Sequence, residues 1–205
     1  AAGDGDRAAA DELRNDLQLH ALRRPRLVGR APVIAVVRAG PGRTTDLALS
    51  LAESYARARM RVLFVEADLG LAAADSAEIG WSDILAGRQI ALPEAGEGPG
   101  LWEVSAGTGQ AVDDRAVSAP MVRAALHAPV HTFDVIILSG GSLKDRLSSQ
   151  FLLSGSDLGV LAMAPGERRA AVMAQVDRLD ALPANGSVAV MRRARRDDPW
   201  LARRG

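Results

Sequence analysis

The sequence of 205 residues contains no cysteine. Disulfide bonds, thiolate nucleophiles and cysteine-ligated metals are therefore excluded for this chain. Lysine is almost as scarce, because only one of the 25 basic residues is a lysine, Lys144. Any mechanism that requires a lysine amine must use Lys144 or a residue of another chain.

Long apolar runs and an excess of one charge are also missing. No run approaches the roughly 18 residues of a membrane-spanning helix. Residues 1–10 are polar and acidic, so no signal peptide is visible. We therefore expect a cytoplasmic protein. The 25 basic and 25 acidic residues balance, so we expect no nucleic-acid partner.

The apolar content of 48 % predicts a folded chain with a sizeable core. Apolar runs and helical periodicities alternate along it, which predicts an α/β fold: a mostly parallel sheet with helices on both faces. Strands are predicted at 33–37, 61–65, 101–105, 133–138, 158–164 and 188–191. Helices are predicted at 8–23, 44–58, 82–85, 120–127, 143–153 and 167–182.

We divide the chain into three parts. Residues 1–31 are a helix and linker, 32–191 are one α/β domain, and 192–205 are an arginine-rich tail. Two interpretations of the tail stay open. It either docks on an acidic partner or an anionic membrane surface, or it is a solvated segment.

A glycine-rich loop shaped like a phosphate-binding loop joins the first predicted strand to the first helix of the domain. Ligands of parallel sheets bind beyond the carboxyl ends of the strands, so the candidate site lies in the loops after Val37, Val65 and Leu138. One interpretation is a weak nucleotide site. The alternative is an ordinary turn capped by a threonine hydroxyl. The candidate nucleotide-binding residues are Gly40, Gly42, Arg43, Thr44 and Thr45.

Two acids end the second predicted strand, Glu66 and Asp68. With the hydroxyl of Thr45, they could be the remnant of a magnesium site. The alternative is a pair of solvated acids at the end of a strand.

Four segments resemble the cytoplasmic ATPase domain of bacterial tyrosine autokinases, which belong to the MinD/ParA-type group of P-loop NTPases. Their order and spacing along roughly 32–191 carry the resemblance. In that family the first is the Walker A loop, the second the Walker A′ acid pair, and the fourth the strand that ends in a metal-orienting aspartate. The segments are RAGPGRTT (38–45), VLFVEADLG (62–70), GWSDILAG (80–87) and FDVIILSGG (133–141).

Several positions depart from the pattern of that family. The Walker A lysine is replaced by Thr44 when counted back from the helix, or by Arg43 when counted forward from the strand. Ser139 stands at the Walker B aspartate. The adenine-reading asparagine near the last strand is missing from Met191-Arg192-Arg193. The single tyrosine, Tyr55, falls within a predicted helix, and the tail contains none.

The resemblance implies a role in bacterial exopolysaccharide or capsule synthesis and export. It also implies a membrane-bound partner, the polysaccharide copolymerase that regulates chain length, through which the protein would lie at the periphery of the inner membrane. Because the lysine, the aspartate and the substrate tail are missing together, the leading hypothesis is a catalytically degenerate docking or regulatory subunit. The alternatives are an active but deviant Mg-ATP-dependent ATPase or tyrosine kinase with Arg43 in place of the lysine, and a ParA/MinD-like positioning ATPase. ATP, ADP and Mg²⁺ therefore stay open as ligands.

Two further expectations concern assembly and metals. The family's ring-forming E-x-x-R-x-x-R motif is reduced here to Asp11, Arg14 and Leu17, which leaves homo-oligomerisation open. The chain has three histidines, of which His20 stands alone. His127 and His131 are not expected to form a metal site, because Pro129 breaks the helix that would align them.

Overall fold

The computed structural model describes residues 4–22, 29–40, 44–72, 78–88, 96, 98–108, 112–163, 170, 173–174, 176–177 and 187–192. The predicted site residues Gly42 and Arg43 lie outside these ranges. The same holds for the tail beyond Arg192 and for most of the helix predicted at 167–182.

Strands and helices alternate along the described chain, as the sequence predicts. The strands are β1 (Val33–Arg38), β2 (Arg61–Glu66), β3 (Gly100–Val104), β4 (Val135–Ser142), β5 (Leu158–Met163) and β6 (Ser187–Arg192). The α-helices are α1 (Asp4–Leu22), α2 (Thr45–Arg57), α3 (Trp81–Leu85), α4 (Ala119–Ala125), α5 (Pro129–Thr132) and α6 (Leu147–Gly155). Short 3₁₀ turns are present at Leu69–Leu71 and Asp114–Ala116.

The described strands form one sheet in the order β3-β2-β4-β1-β5-β6. Every adjacent pair is parallel, which confirms the predicted α/β architecture. β1 lies between β4 and β5, and β4 lies between β1 and β2. The carboxyl ends of β1, β2 and β4 therefore lie next to one another at the C-terminal end of the sheet.

The sheet carries a hydrophobic core on each face, because successive side chains of a strand point to opposite faces. In β1, Ile34 and Val36 belong to the core that packs under α1 and α2. Val33, Ala35 and Val37 belong to the core on the other face, which packs under α3 to α6. The uninterrupted apolar strands of the sequence thus reflect burial on both faces.

The N-terminal helix α1 packs against α2. Its buried residues Leu13 and Leu17 lie in the same core as Tyr55 of α2. Arg14 donates from Nη1 to the Ser54 carbonyl over 2.9 Å, and the Ser54 hydroxyl donates to Asp11. None of the helices in the described ranges has the length and apolar character that a bilayer span requires.

Two boundaries around β4 differ from the prediction. The strand continues four residues past Leu138, and residue Ser142 still pairs with Arg38 of β1. The next helix consequently begins at Leu147 rather than Leu143. The cap of this helix comes from a distant residue, since Asp114 accepts hydrogen bonds from the backbone N–H groups of Leu147 and Ser148. Such a long-range cap leaves no local pattern in the sequence.

Helix α5 is the one α-helix of the described ranges that the sequence does not predict. It starts at Pro129, which suits the first turn of a helix. The Val130 N–H donates to the Leu126 carbonyl over 3.1 Å, so a hydrogen bond spans the turn between α4 and α5. The rings of His127 and His131 meet edge to face, with centroids 5.8 Å apart. The helix is interrupted before Pro129, as the sequence predicts, but the interruption does not keep the two rings apart.

Candidate functional site

Several predicted site residues converge at the carboxyl ends of β1, β2 and β4. Glu66 and Ser139 are direct partners across β2 and β4, and Ser139 pairs with Val36 of β1 on its other side. Thr44 and Thr45, at the start of α2, reach these two side chains. Gly40 follows β1 at the same edge.

The side chain of Thr44 lies between the start of α2 and β4. It is only 2 % exposed, and its hydroxyl donates to the Gly140 carbonyl. The same Oγ1 lies 3.1 Å from Ser139 Oγ. Thr44 is the N-cap residue of α2, yet its side chain makes no cap hydrogen bond. The Thr44 side chain therefore neither faces solvent nor caps α2.

Thr45 and Glu66 form the second contact of the site. Thr45 Oγ1 donates to Glu66 Oε2 over 2.7 Å, and Ser139 contributes a further hydrogen bond to this carboxyl. Burial raises the pKa of Glu66 above its ordinary value, and the hydrogen bonds from Thr45 and Ser139 offset this only in part. Thr45, whose hydroxyl would bind magnesium, is here bonded to the acid instead.

Asp68 lies over the end of β4. Its Oδ1 accepts a hydrogen bond from the Gly70 N–H over 2.9 Å. A Cβ atom at Gly141 would lie 2.9 Å from Asp68 Cγ. A Cβ at Gly140 would lie 2.9 Å from Val37 Cγ1. The Gly140–Gly141 pair, which stands where the autokinase pattern has threonine and proline, thus lets Asp68 and β1 approach β4 closely.

Sequence reasoning missed a cation beside this site. The guanidinium of Arg146 packs over the Asp68–Gly70 turn, since a Cβ at Gly70 would lie 2.9 Å from Arg146 Cζ. Arg146 is half-buried, whereas Lys144 is exposed. The spacing from Ser139 alone could not reveal this contact, because it depends on the extension of β4 to Ser142.

Two described positions of the site lack the charges that the resemblance leads one to expect. Thr44, one of the two positions at which the lysine could fall, supplies no positive charge, and Ser139 supplies no negative charge for a metal. The other position, Arg43, lies outside the described residues. Asp46 adds a carboxylate to the first turn of α2, at the end of the helix where phosphate would bind. In the part of the chain that the structure describes, no group of three or more histidine or acidic residues could hold a metal ion.

The GWSDILAG segment forms a buried corner beside the site. Asp83 in α3 is fully buried and accepts hydrogen bonds from the backbone N–H groups of Gly80 and Thr108, both at 3.1 Å. The Thr108 hydroxyl and Arg88 Nη1 also donate to it, each over 2.9 Å. Burial alone would raise the pKa of Asp83, but these hydrogen bonds outweigh it and hold the pKa below the ordinary value. The segment joins α3 to the loop after β3.

Comparison with known proteins supports the fold. No protein-family profile and no curated protein matches the sequence. Solved structures do match. The kinase domain of the Escherichia coli tyrosine kinase ETK is 18 % identical with a TM-score of 0.68, over 89 % of this chain and 74 % of that one. The BceF tyrosine kinase domain is 18 % identical with a TM-score of 0.71, over 90 % and 76 %.

This chain has the fold of the bacterial tyrosine kinase domains. The septum site-determining protein MinD of Pyrococcus horikoshii, solved with Mg-ADP, is also similar. It is 15 % identical with a TM-score of 0.59, over 78 % of this chain and 68 % of that one. The resemblance inferred from the four sequence segments is thus confirmed at the level of the fold.

Proposed function

We propose that this protein is a catalytically degenerate member of the tyrosine autokinase group that acts as a docking or regulatory subunit. The observation that carries the proposal is the burial of Thr44 at the lysine position, with its hydroxyl donating to the Gly140 carbonyl. A residue held in this way joins α2 to β4 and offers no charge to a phosphate.

The position of the single tyrosine supports the same proposal. Tyr55 is only 2 % exposed and belongs to the core under α1 and α2. Burial raises the pKa of its hydroxyl above the ordinary range. A kinase cannot reach this hydroxyl without unfolding α2, so Tyr55 is not an autophosphorylation site.

The cellular role follows from the resemblance to the autokinases. That resemblance implies work in exopolysaccharide synthesis and export, at the cytoplasmic face of the inner membrane and beside a membrane polysaccharide copolymerase. A subunit that keeps the fold but lacks the catalytic charges would bind the copolymerase or a kinase subunit and influence assembly. The three proposed segments, 1–31, 32–191 and 192–205, would then provide a helix, a rigid domain and a basic tail for such contacts.

Nucleotide binding is the direct test. Isothermal titration of the purified chain with Mg-ATP, together with an assay of ADP release, is expected to show neither heat of binding nor turnover. The ETK kinase domain, assayed in parallel, is the positive control. Micromolar binding with turnover would overturn the proposal.

Partner binding needs a separate experiment. The cytoplasmic segments of a polysaccharide copolymerase, co-expressed with this chain, are expected to co-purify with it in the absence of ATP. Co-purification only in the presence of Mg-ATP would contradict a nucleotide-independent docking role.

An active but deviant ATPase is the second candidate, and the observation that favours it is Arg146. Its guanidinium lies beside the Asp68–Gly70 turn and brings positive charge to the site. In that case Arg43→Ala and Arg146→Ala should each reduce hydrolysis at least tenfold, whereas Lys144→Ala should not. Arginine is nevertheless a poor replacement for the phosphate-bridging lysine, because its planar fork is rigid.

A further inference from the structure

His127 and His131 form the only pair of histidine rings in contact within the described ranges. Both side chains are exposed, at the end of α4 and within α5. The two rings are edge to face at 73° with centroids 5.8 Å apart. With metal–nitrogen bonds of about 2.0–2.1 Å, two imidazoles on one tetrahedral ion have centroids about 5 Å apart. The observed separation of 5.8 Å is therefore close to the one that a shared ion requires.

The backbone under the two rings is held by hydrogen bonds. The Val130 N–H donates to the Leu126 carbonyl and the His131 N–H to the Ala128 carbonyl, each over 3.1 Å. The Phe133 N–H closes the end of α5 on the Pro129 carbonyl, also over 3.1 Å. The backbone positions of the two histidines are thus set before a ligand arrives, so that binding would order only the two side chains.

Two charged residues near the histidine pair, Arg123 and Asp134, form their hydrogen bonds with other residues. Arg123, one turn before His127, donates to the Ser154 carbonyl over 3.0 Å. Asp134, after α5, is paired with Arg61, whose Nη2 lies 2.8 Å from Asp134 Oδ1. Neither side chain is directed to the histidine pair, so water would complete the coordination sphere.

We propose that His127 and His131 form a two-histidine site for a divalent transition-metal ion such as Zn²⁺, Ni²⁺ or Cu²⁺. Imidazole nitrogen suits these ions, whereas Mg²⁺ and Ca²⁺ prefer oxygen ligands. The site lies where the strands begin, because α5 immediately precedes the start of β4. Thr44 and Glu66 lie at the opposite end of the sheet, where the strands finish. The two-histidine site is independent of the candidate nucleotide site.

A bound ion would stabilise the entry to the central strand. The Ala31 N–H, two residues before β1, donates to the Val130 carbonyl over 2.8 Å. An ion that bridges His127 and His131 would fix the α4–α5 corner and, through this hydrogen bond, the segment that leads into β1. Because the ion would bind the folded chain, it would raise the melting temperature increasingly as its concentration rises.

The chain offers a matched control in His20, an exposed histidine of α1. Titration of the untagged full chain with ZnCl₂ is expected to show one equivalent bound. His127→Asn and His131→Asn should each lower the affinity at least tenfold and abolish the rise in melting temperature. His20→Asn should leave both unchanged. All three residues are exposed, so the variants should fold.

Proton NMR of the imidazole rings gives a second measurement. Zn²⁺ is expected to shift the ring signals of His127 and His131 together and to leave those of His20 in place, and MgCl₂ at the same concentration should shift none. Absence of Zn²⁺ binding up to millimolar concentration would overturn the proposal. Equal effects of the three histidine variants, or equal shifts at all three rings, would also overturn it.

Discussion

Thr44 Oγ1 and Ser139 Oγ lie 3.1 Å apart, between the start of α2 and the end of β4. The tyrosine autokinases that the sequence resembles carry an aspartate at the position of Ser139 and, when the loop is counted back from α2, a lysine at the position of Thr44. A charged pair that handles phosphate and metal has a counterpart here in two neutral hydroxyls in contact, of which Ser139 is hydrogen-bonded to the Glu66 carboxyl. Since Thr44 also donates to the Gly140 carbonyl, the pair connects a helix to a strand.

If this connection is structural, Thr44→Val should destabilise the protein. Valine keeps the shape but leaves the Gly140 carbonyl without the hydroxyl donor, and a lost buried hydrogen bond costs about 1–2 kcal/mol. We expect the free energy of unfolding, measured by urea denaturation, to fall by this amount. Thr132→Val, at an exposed threonine of α5, is the control and should change it by less than about 0.5 kcal/mol. Equal effects of the two variants would refute the structural role.

The buried Glu66 predicts a dependence of stability on pH. Burial raises its pKa in the folded state above the ordinary value of 4.5. The folded chain therefore binds this proton more tightly than the unfolded chain. The resulting stability is present below about pH 4.5 and is lost as the pH rises through the raised pKa.

Glu66→Gln removes this titration but keeps an acceptor for Thr45. Relative to the native chain, the variant should therefore gain stability as the pH is raised from about 4 to about 8. Urea denaturation across this range measures the difference, and Glu53→Gln, on the exposed side of α2, controls for the loss of one carboxylate. A difference between the Glu66→Gln variant and the native chain that stays constant with pH would contradict the assignment.

Local pattern was sufficient to predict most of the fold. The apolar runs at 33–37, 61–65 and 158–164 become β1, β2 and β5, because strands buried on both faces need continuous apolar side chains. Parallel order then brings the ends of β1, β2 and β4 together, so that Thr45, Glu66 and Ser139 meet as the sequence suggests.

Contacts between distant residues could not be predicted in this way. The extension of β4 to Ser142 depends on its pairing with Arg38, and the start of α6 depends on the cap from Asp114. The approach of Arg146 to Gly70 follows from both. Each contact joins segments that are far apart along the chain, and composition and periodicity carry no information about them.

Removal of the buried carboxyl of Asp83 should cause one of the larger losses of stability in this chain. Asp83→Ala would remove the acceptor of two backbone N–H groups and of the Thr108 hydroxyl. Each buried donor left without a partner costs about 1–3 kcal/mol, so we expect a loss of about 3 kcal/mol or more. Urea denaturation measures the loss, with Asp145→Ala in the exposed turn after β4 as the control. A loss below about 1 kcal/mol would show that water replaces the carboxyl.

Alanine substitutions at two adjacent serines of α6 should change the free energy of unfolding in opposite directions. Ser148 and Ser149 are 2 % and 1 % exposed, but their hydroxyls differ in their partners. Ser148 Oγ donates to Asp114, which caps the helix. Ser149 Oγ finds no hydrogen-bond partner among the described residues.

Ser149→Ala should therefore raise the free energy of unfolding by about 1 kcal/mol, because it removes a buried hydroxyl without a partner and improves helix propensity. Ser148→Ala should lower it by about 1–2 kcal/mol, because it weakens the contact with the cap. The two substitutions delete the same atom from neighbouring positions, so each is the control for the other in a single series of urea denaturation curves. If both variants are destabilised equally, the Ser149 hydroxyl has a partner in solution, and the packing of α6 against β4 differs from the one described.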